Sequence, residues 1–164
     1  MESSAIKQGL PPVARLDARL FILGSLPGDA SLAARQYYAH PRNQFWRLLG
    51  QAIGEDLQAL NYGSRLERLT ERQIGLWDVV AEAERPGSLD QAIRRAGHNR
   101  LTDYFAVFTE LKAVAFNGSA AAAIGRKLLA GTRLTLIDLP SSSPANTRPL
   151  AEKAMAWRVL TDFV

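Results

Sequence analysis

RLFILGS, Arg19 to Ser25, is a short apolar run that stops at glycine, the pattern of a buried strand. The stretch beyond it is dense in special residues. GSLPGDASLAARQYYAHPRNQFW, Gly24 to Trp46, holds a Gly-Ser-Leu-Pro-Gly turn, adjacent Tyr37 and Tyr38, a His40-Pro41 pair and an Asn43-Gln44-Phe45-Trp46 end. From Asn43 to Gly54, the residues Phe45, Trp46, Leu48, Leu49, Ala52 and Ile53 recur at helical spacing, with Pro41 before them and Gly54 after. These are helix start and stop signals. The chain therefore reads strand, long loop, helix.

The same alternation continues outward. GLWDVV (Gly75 to Val80), KAVAFNG (Lys112 to Gly118) and TRLTLIDLP (Thr132 to Pro140) read as further strands. SLDQAIRRAG (Ser88 to Gly97) reads as a helix with Ser88 as N-cap. SAAAAIGRKLLAG (Ser119 to Gly131) is a helix packed through small residues. PLAEKAMAWRVLTDFV closes the chain as a helix with Pro149 near its first turn. Residues 1–13 are polar, reach Pro11-Pro12 and read as an N-terminal tail; residues 14–164 read as a single domain. Strands alternating with helices predict an α/β fold of three layers, α/β/α, around a short, mostly parallel four-stranded sheet. Ligands bind such sheets outside the carboxyl ends of the strands. That rule selects the loop after Leu23, the Asn117-Gly118 turn and the loop after Leu139.

Composition narrows the chemistry. Of 164 residues, 47% are hydrophobic and 22% charged, enough to bury a core. With no cysteine, disulfides, thiolate zinc sites and cysteine-ligated clusters are excluded. His40 and His98 alone do not build a His-rich metal site. No stretch has the apolar length of a membrane helix. MESSAIKQGLPPV has an early acid and no long apolar block, so it does not read as a signal peptide, and a cytoplasmic location follows by default. The net charge of +4 and pI near 9.8 favour a polyanionic partner, nucleic acid first.

Gly24 to Gly28 is neither a Walker loop nor a dinucleotide fingerprint, and reads locally as a turn needing glycine dihedrals. Ser141, Ser142 and Ser143 lack the elbow and base of a serine hydrolase. With Pro144, Ala145, Asn146 and Arg148 they form either a solvated loop or one that holds phosphates. Phe45 and Trp46 are adjacent and cannot share one helix direction, so one can face the core and the other a pocket, where an aromatic stacks on a base. Asn43 has a helix cap, and Asn117 a turn, as its local reading. Arg35, Arg42 and Lys127 extend the basic surface or are simply solvated.

Taken together, these segments resemble the uracil-DNA glycosylase superfamily. Gly24-Ser25-Leu26-Pro27-Gly28 through Ala39-His40-Pro41-Arg42-Asn43-Gln44-Phe45-Trp46 is similar to its first motif, and Leu139-Pro140-Ser141-Ser142-Ser143-Pro144-Ala145-Asn146 to its second, the DNA-intercalation loop. Gly75 to Val80, Gly87 to Asp90 and Phe116-Asn117-Gly118 also match, in the right order, over roughly residues 19 to 162. The hypoxanthine-DNA glycosylase branch is the nearest, and mismatch-specific uracil glycosylases, which share Ala-His-Pro-x-Asn-x-Phe-Trp, are its neighbours. Most members carry Asp or Asn where this chain has Leu26, and many carry His where it has Ser141. The hypoxanthine branch also lacks both and places its catalytic Asn in the His-Pro-x-Asn element, which corresponds to Asn43.

The resemblance implies a monofunctional DNA glycosylase that excises hypoxanthine, uracil or xanthine in base excision repair. It flips the nucleotide and stabilises charge on the leaving base, with no cofactor and no metal. Asn43 orients water through its carbonyl or donates its NH2 to the developing anion. Phe45 is the stacking wall; Ser25 and Leu26 contact the base edge through their backbone, and Asn117 is a further base contact. Ser141, Ser142, Ser143, Ala145, Asn146 and Arg148 bind DNA, with Ala145 as the wedge. His40 either contacts the base or is structural. With no lysine beside Asn43, no lyase step is expected, and the protein is expected to act as a monomer on DNA containing a deaminated base. The alternatives are a mismatch-specific uracil glycosylase, a nucleic-acid-binding module without chemistry on the same fold, and a hydrolase of free nucleosides.

Overall fold

A computed structural model describes residues 5–164. The part of the N-terminal reading that falls on residues 1–4 lies outside the described residues. In chain order the elements are β1 (Ile6–Gln8), β2 (Leu20–Gly24), α1 (Asp29–Ala34), α2 (Phe45–Ile53), α3 (Tyr62–Glu71), β3 (Ile74–Asp78), β4 (Val80–Glu84), β5 (Arg94–His98), α4 (Leu101–Phe105), β6 (Ala113–Asn117), α5 (Ser119–Leu128), β7 (Thr135–Leu139) and α6 (Leu150–Trp157).

The central sheet has four parallel strands in the order β3-β2-β6-β7. Its two faces are separated by the two-residue period of β2. Leu20 and Ile22 join the core beneath α2, α3 and α6, while Phe21 and Leu23 join a second core beneath α4 and α5. Every residue of β2 is buried, as expected of an inner parallel strand covered on both faces. The register places Gly24 beside Asp78, and Asn117 beside Leu139. The three segments selected from the sequence therefore leave the sheet along one carboxyl edge.

Three elements differ from their sequence reading. SLDQAIRRAG is a single 3-10 turn (Asp90–Ala92) followed by β5, not a helix. Its apolar residues fit helical spacing, but β4 presents an open edge, and antiparallel pairing of Val80 with His98 and Glu84 with Arg94 satisfies the backbone instead. Tertiary pairing overrides a weak local preference. Within the stretch read as a tail, Ile6–Gln8 pairs with β4 as the third strand of this small sheet, Leu10 is buried, and Val13 bridges Leu76. The final helix ends at Trp157 and tightens into a 3-10 helix over Arg158–Phe163.

Candidate active site

The carboxyl edge of the sheet carries a row of polar residues. Asn117 ends β6, and Gly118 beyond it has φ +103°, a conformation that favours glycine. A Cβ at Gly118 would also lie 3.1 Å from Ser141 Cβ. This sharp turn lets the loop after β7 cross directly above Asn117. The Asn117 amide grips Ser142 at both ends: Nδ2 donates to Ser142 Oγ at 2.9 Å, and Oδ1 accepts from Ser142 N at 2.9 Å. Ser142 Oγ in turn donates to Asn43 Oδ1 at 2.8 Å. Gln44 N donates to the Ser142 carbonyl at 3.0 Å, tying the start of α2 to the same loop.

Asn43 Oδ1 also accepts from Phe45 N at 3.0 Å, a turn contact one residue ahead of the N-cap of α2, which is Gln44 rather than Asn43. With two donors on Oδ1, both lone pairs of the amide oxygen are engaged. Nδ2 makes no hydrogen bond among the described residues. The amide is thus held with its NH2 end as the available group.

Ser142 is fully buried, so among the second-loop residues it is an internal link rather than a surface contact for phosphate. Its neighbours differ. Ser143 N donates to Ser141 Oγ, Ala145 N to Ser143 Oγ, and Asn146 Nδ2 to the Ser141 carbonyl. Ala145 and Arg148 are exposed, and Arg148 pairs with Glu152 at 3.5 Å. Lys153 locks this loop from beneath: it is 1% exposed and donates to Gln44 Oε1 at 2.9 Å and the Asn146 carbonyl at 2.8 Å. Burial, then the charge of Arg148, holds the Lys153 ammonium below its ordinary pKa.

The aromatic arrangement differs from the expected one. Phe45 and Trp46 are both buried, because α2 is wedged between the sheet and the C-terminal helices. Phe45 stands behind Tyr38. The two rings stack at 3.8 Å and 13°, while Trp46 and Trp157 meet Phe45 edge-on at 4.9 Å and 5.6 Å. Tyr38 is half-buried, has φ +54° and is the outer ring of the stack. Its hydroxyl reaches down over Gly24. Gly24 serves close approach rather than unusual dihedrals, since a Cβ there would lie 2.7 Å from Asp78 Oδ1 and 3.1 Å from the Tyr38 hydroxyl. Burial, then the Asp78 charge, raises the Tyr38 phenol well above its usual range, and the Asn117 amide opposes the rise.

The first loop is clamped. The Arg85 side chain is fully buried and donates to the carbonyls of Leu26 (3.1 Å), Pro27 (2.7 Å) and Gly87 (2.8 Å), with Asp29 3.7 Å away. Val80 N donates to the Ser25 carbonyl. The carbonyls of Ser25, Leu26 and Pro27 are therefore taken, whereas the N–H groups of Ser25 and Leu26 make no hydrogen bond among the described residues. Ser25 Oγ donates to Asp90 at 2.5 Å. The Leu26 side chain is buried in the second core, so only its backbone faces this loop's chemistry. His40 Nδ1 accepts from Arg42 N at 3.0 Å, a turn contact. Arg35 and Arg42 are exposed.

Residues 11–163 match the uracil DNA glycosylase superfamily. The chain belongs to this superfamily. Among its relatives, a protein of Methanosarcina barkeri (strain Fusaro) named hypoxanthine DNA glycosylase is 46% identical over 92% of this chain and 95% of its own length. A protein of the same name from Methanosarcina acetivorans is 39% identical over 94% of this chain and 98% of its own. A solution NMR structure from Methanosarcina acetivorans, described as a candidate uracil DNA glycosylase, superposes with a TM-score of 0.87 at 39% identity, covering 96% of this chain and 97% of that one. The three-layer α/β fold is that of the superfamily. The chain is a DNA glycosylase, an enzyme that cuts N-glycosidic bonds, and DNA is its substrate. Among the described residues, no helix is long and apolar enough to cross a membrane.

Tyr38, Asp78, Arg85 and Lys153 carried no role in the sequence reading. Signals for two of them were present. Asp78 is an acid inside the apolar run GLWDVV, and Lys153 falls on the buried stripe of Leu150, Ala154 and Trp157. A charged residue on an apolar face implies a buried partner.

Proposed function

We propose that this glycosylase excises hypoxanthine from DNA as a monofunctional enzyme, with Asn43 as the group that acts at the sugar–base bond. The observation that carries the reading is the relay Asn117–Ser142–Asn43, which saturates Asn43 Oδ1 and leaves its NH2 free. The names of the two Methanosarcina relatives support the choice of base.

Breaking the bond leaves cationic character on the sugar and negative charge on the base. An amide does not ionise at neutral pH, so Asn43 is not a general base. Its NH2 donates a hydrogen bond to the departing base or to the water that replaces it. The free N–H groups of Ser25 and Leu26 supply further fixed donors to the anion. Tyr38, backed by Phe45, is the face on which the flipped base stacks, a contact of about 1–3 kcal/mol. Asn117 positions the relay more directly than it touches the base. The second loop outside Ser142, with Ala145 and Arg148 exposed and Ser141, Ser143 and Asn146 half-buried, binds the DNA backbone, with Ala145 entering the duplex. Lys153 lies beside Gln44, but its ammonium is buried and held by Gln44 Oε1 and the Asn146 carbonyl, so the enzyme releases the base without cutting the strand. It works in the cytoplasm as a monomer.

The test is base release from end-labelled oligonucleotides carrying one deoxyinosine or one deoxyuridine, in EDTA, with alkali to reveal abasic sites. Cleavage at inosine that is lost in Asn43→Ala is the expected result. Cleavage mainly at uracil moves the substrate assignment. Release unaffected by Asn43→Ala removes Asn43 from the mechanism.

A further inference from the structure

Leu89 is 54% exposed on the turn between β4 and β5. The other large exposed apolar side chains stand elsewhere. Leu16 and Val107 lie in the connections that enter the amino ends of β2 and β6, Ile6 is on β1, Met155 is on α6, and Val159 is in the 3-10 helix after it. A single exposed leucine is ordinary, but this one is held firmly against the first loop. Lys7 Nζ and Arg85 Nε both donate to the Gly87 carbonyl, at 2.7 Å and 2.8 Å. Ser88 Oγ accepts from Asp29 N at 2.9 Å, and the Asp90 carboxylate accepts from the Ser25 hydroxyl. Ser88 and Asp90 thus both turn onto the first loop. Leu89 between them has extended backbone, φ −81° and ψ 133°. Neighbouring side chains alternate in extended backbone, so Leu89 points outward.

The strand order β3-β2-β6-β7 puts Gly24 and Asn117 in the middle of the carboxyl edge. The second loop leaves β7 at one end of that row. β3 stands at the other end and leads directly into β4 and this turn. Ala145 and Leu89 therefore flank the pocket from opposite sides.

On the reading that the enzyme flips its target nucleotide with Ala145 entering the duplex, we propose that Leu89 is a second wedge, which enters the base stack on the side of the flipped nucleotide opposite Ala145. An extruded base leaves a gap across which its two neighbours face water. The Ala145 methyl group covers little of that surface. A leucine covers more, and apolar side chains pushed between base steps hold a duplex unstacked. Leu89 gains as well, because the part of its side chain now in water becomes buried against the bases. The turn is already pinned, so inserting Leu89 loses little conformational freedom, whereas a free loop would first have to be ordered. The same bonds tie the turn to Ser25 and Asp29, so the wedge and the donors of the first loop are set relative to each other before DNA arrives.

The experiment uses 2-aminopurine, an adenine analogue that brightens when unstacked. It is placed on the 5′ or the 3′ side of a tetrahydrofuran abasic-site analogue in two duplexes, each saturated with wild type, Leu89→Ala or Leu89→Met. With wild type, both probes should brighten about twofold or more over the free duplex. Leu89→Ala should lose at least half of that rise at one probe and keep it at the other. Leu89→Met, an apolar chain of similar length, should restore it. Single-turnover release of hypoxanthine from duplex should fall about fivefold or more in Leu89→Ala, with the unchanged melting temperature expected of an exposed side chain. Equal loss at both probes, loss at neither, or an unchanged release rate overturns the inference. A wild type that leaves either probe as dim as in free duplex overturns it even if no variant folds. Hypoxanthine release that persists beside any of these outcomes leaves the glycosylase reading intact. Leu89-dependent brightening with a wild type that releases no hypoxanthine supports the wedge and overturns the substrate reading alone.

Discussion

At the residue scale, Phe45 and Tyr38 divide one task. Phe45 is fully buried with Tyr38, Trp46 and Trp157 around it, so its removal opens a cavity. Phe45→Ala should cost about 3–5 kcal/mol of stability, seen as a lower denaturation midpoint. Tyr38→Ala removes a half-buried outer ring, so its larger effect should be on excision. Tyr38→Phe tests the hydroxyl alone. The sequence marked this cluster as special, but which ring faces outward depends on the Tyr38 backbone and on helices distant in sequence. Asp78 adds a pH effect on stability. Its carboxyl is raised in the fold, so the native state holds a proton that the unfolded state releases. Stability is therefore lost as pH rises from the ordinary carboxylate range, near 4, through about 7. Asp78→Asn should raise the melting temperature relative to wild type above that window and by less at about pH 4, a difference that calorimetry at the two pH values resolves.

At the element scale, the strands and the glycines and prolines bounding them were legible because an inner parallel strand needs an unbroken apolar run. The small antiparallel sheet was not. β5, Arg94–His98, is a basic strand that exists only because β4 offers an edge. The clamp on the first loop was equally hidden, since Arg85 acts on carbonyls 58 and 59 residues away. A buried guanidinium with three carbonyl partners leaves those carbonyls unsatisfied when it is removed. Arg85→Ala should lower stability by about 1–3 kcal/mol for each buried carbonyl left without a donor, and Arg85→Lys should not restore it, because a single ammonium lacks the planar fork. Thermal melts of the two variants decide this. Ser142→Ala probes the second loop differently. It frees Asn43 Oδ1 from one donor while leaving the Ser142 backbone bonds in place. It should therefore lower the rate of base release more than it lowers the melting temperature.

At the scale of the whole molecule, the charge and the sheet edge act together. A net charge of +4 is modest, and many of the arginines face acidic neighbours: Arg68 and Arg72 meet Glu55, Arg126 meets Asp138, and Arg85 meets Asp29. Composition alone could favour a polyanion without locating it. The loops at the carboxyl edge supply the location, because a flipped nucleotide must bring its phosphates to the lip of the pocket. Arg148 is the exposed cation of the second loop, with Glu152 as its partner at 3.5 Å. If it neutralises a phosphate, binding releases the counterion held there, and affinity falls with salt in proportion to the number of such contacts. Arg148→Ala should weaken binding to abasic-site DNA similarly across sequence contexts and reduce the slope of log affinity against log salt by about one. Fluorescence anisotropy over a salt series measures both. Glu152→Gln separates the ion pair from the phosphate contact, for it frees Arg148 and should leave the slope equal to wild type or steeper. A slope unchanged in Arg148→Ala would mean that Arg148 serves Glu152 and the start of α6 rather than DNA.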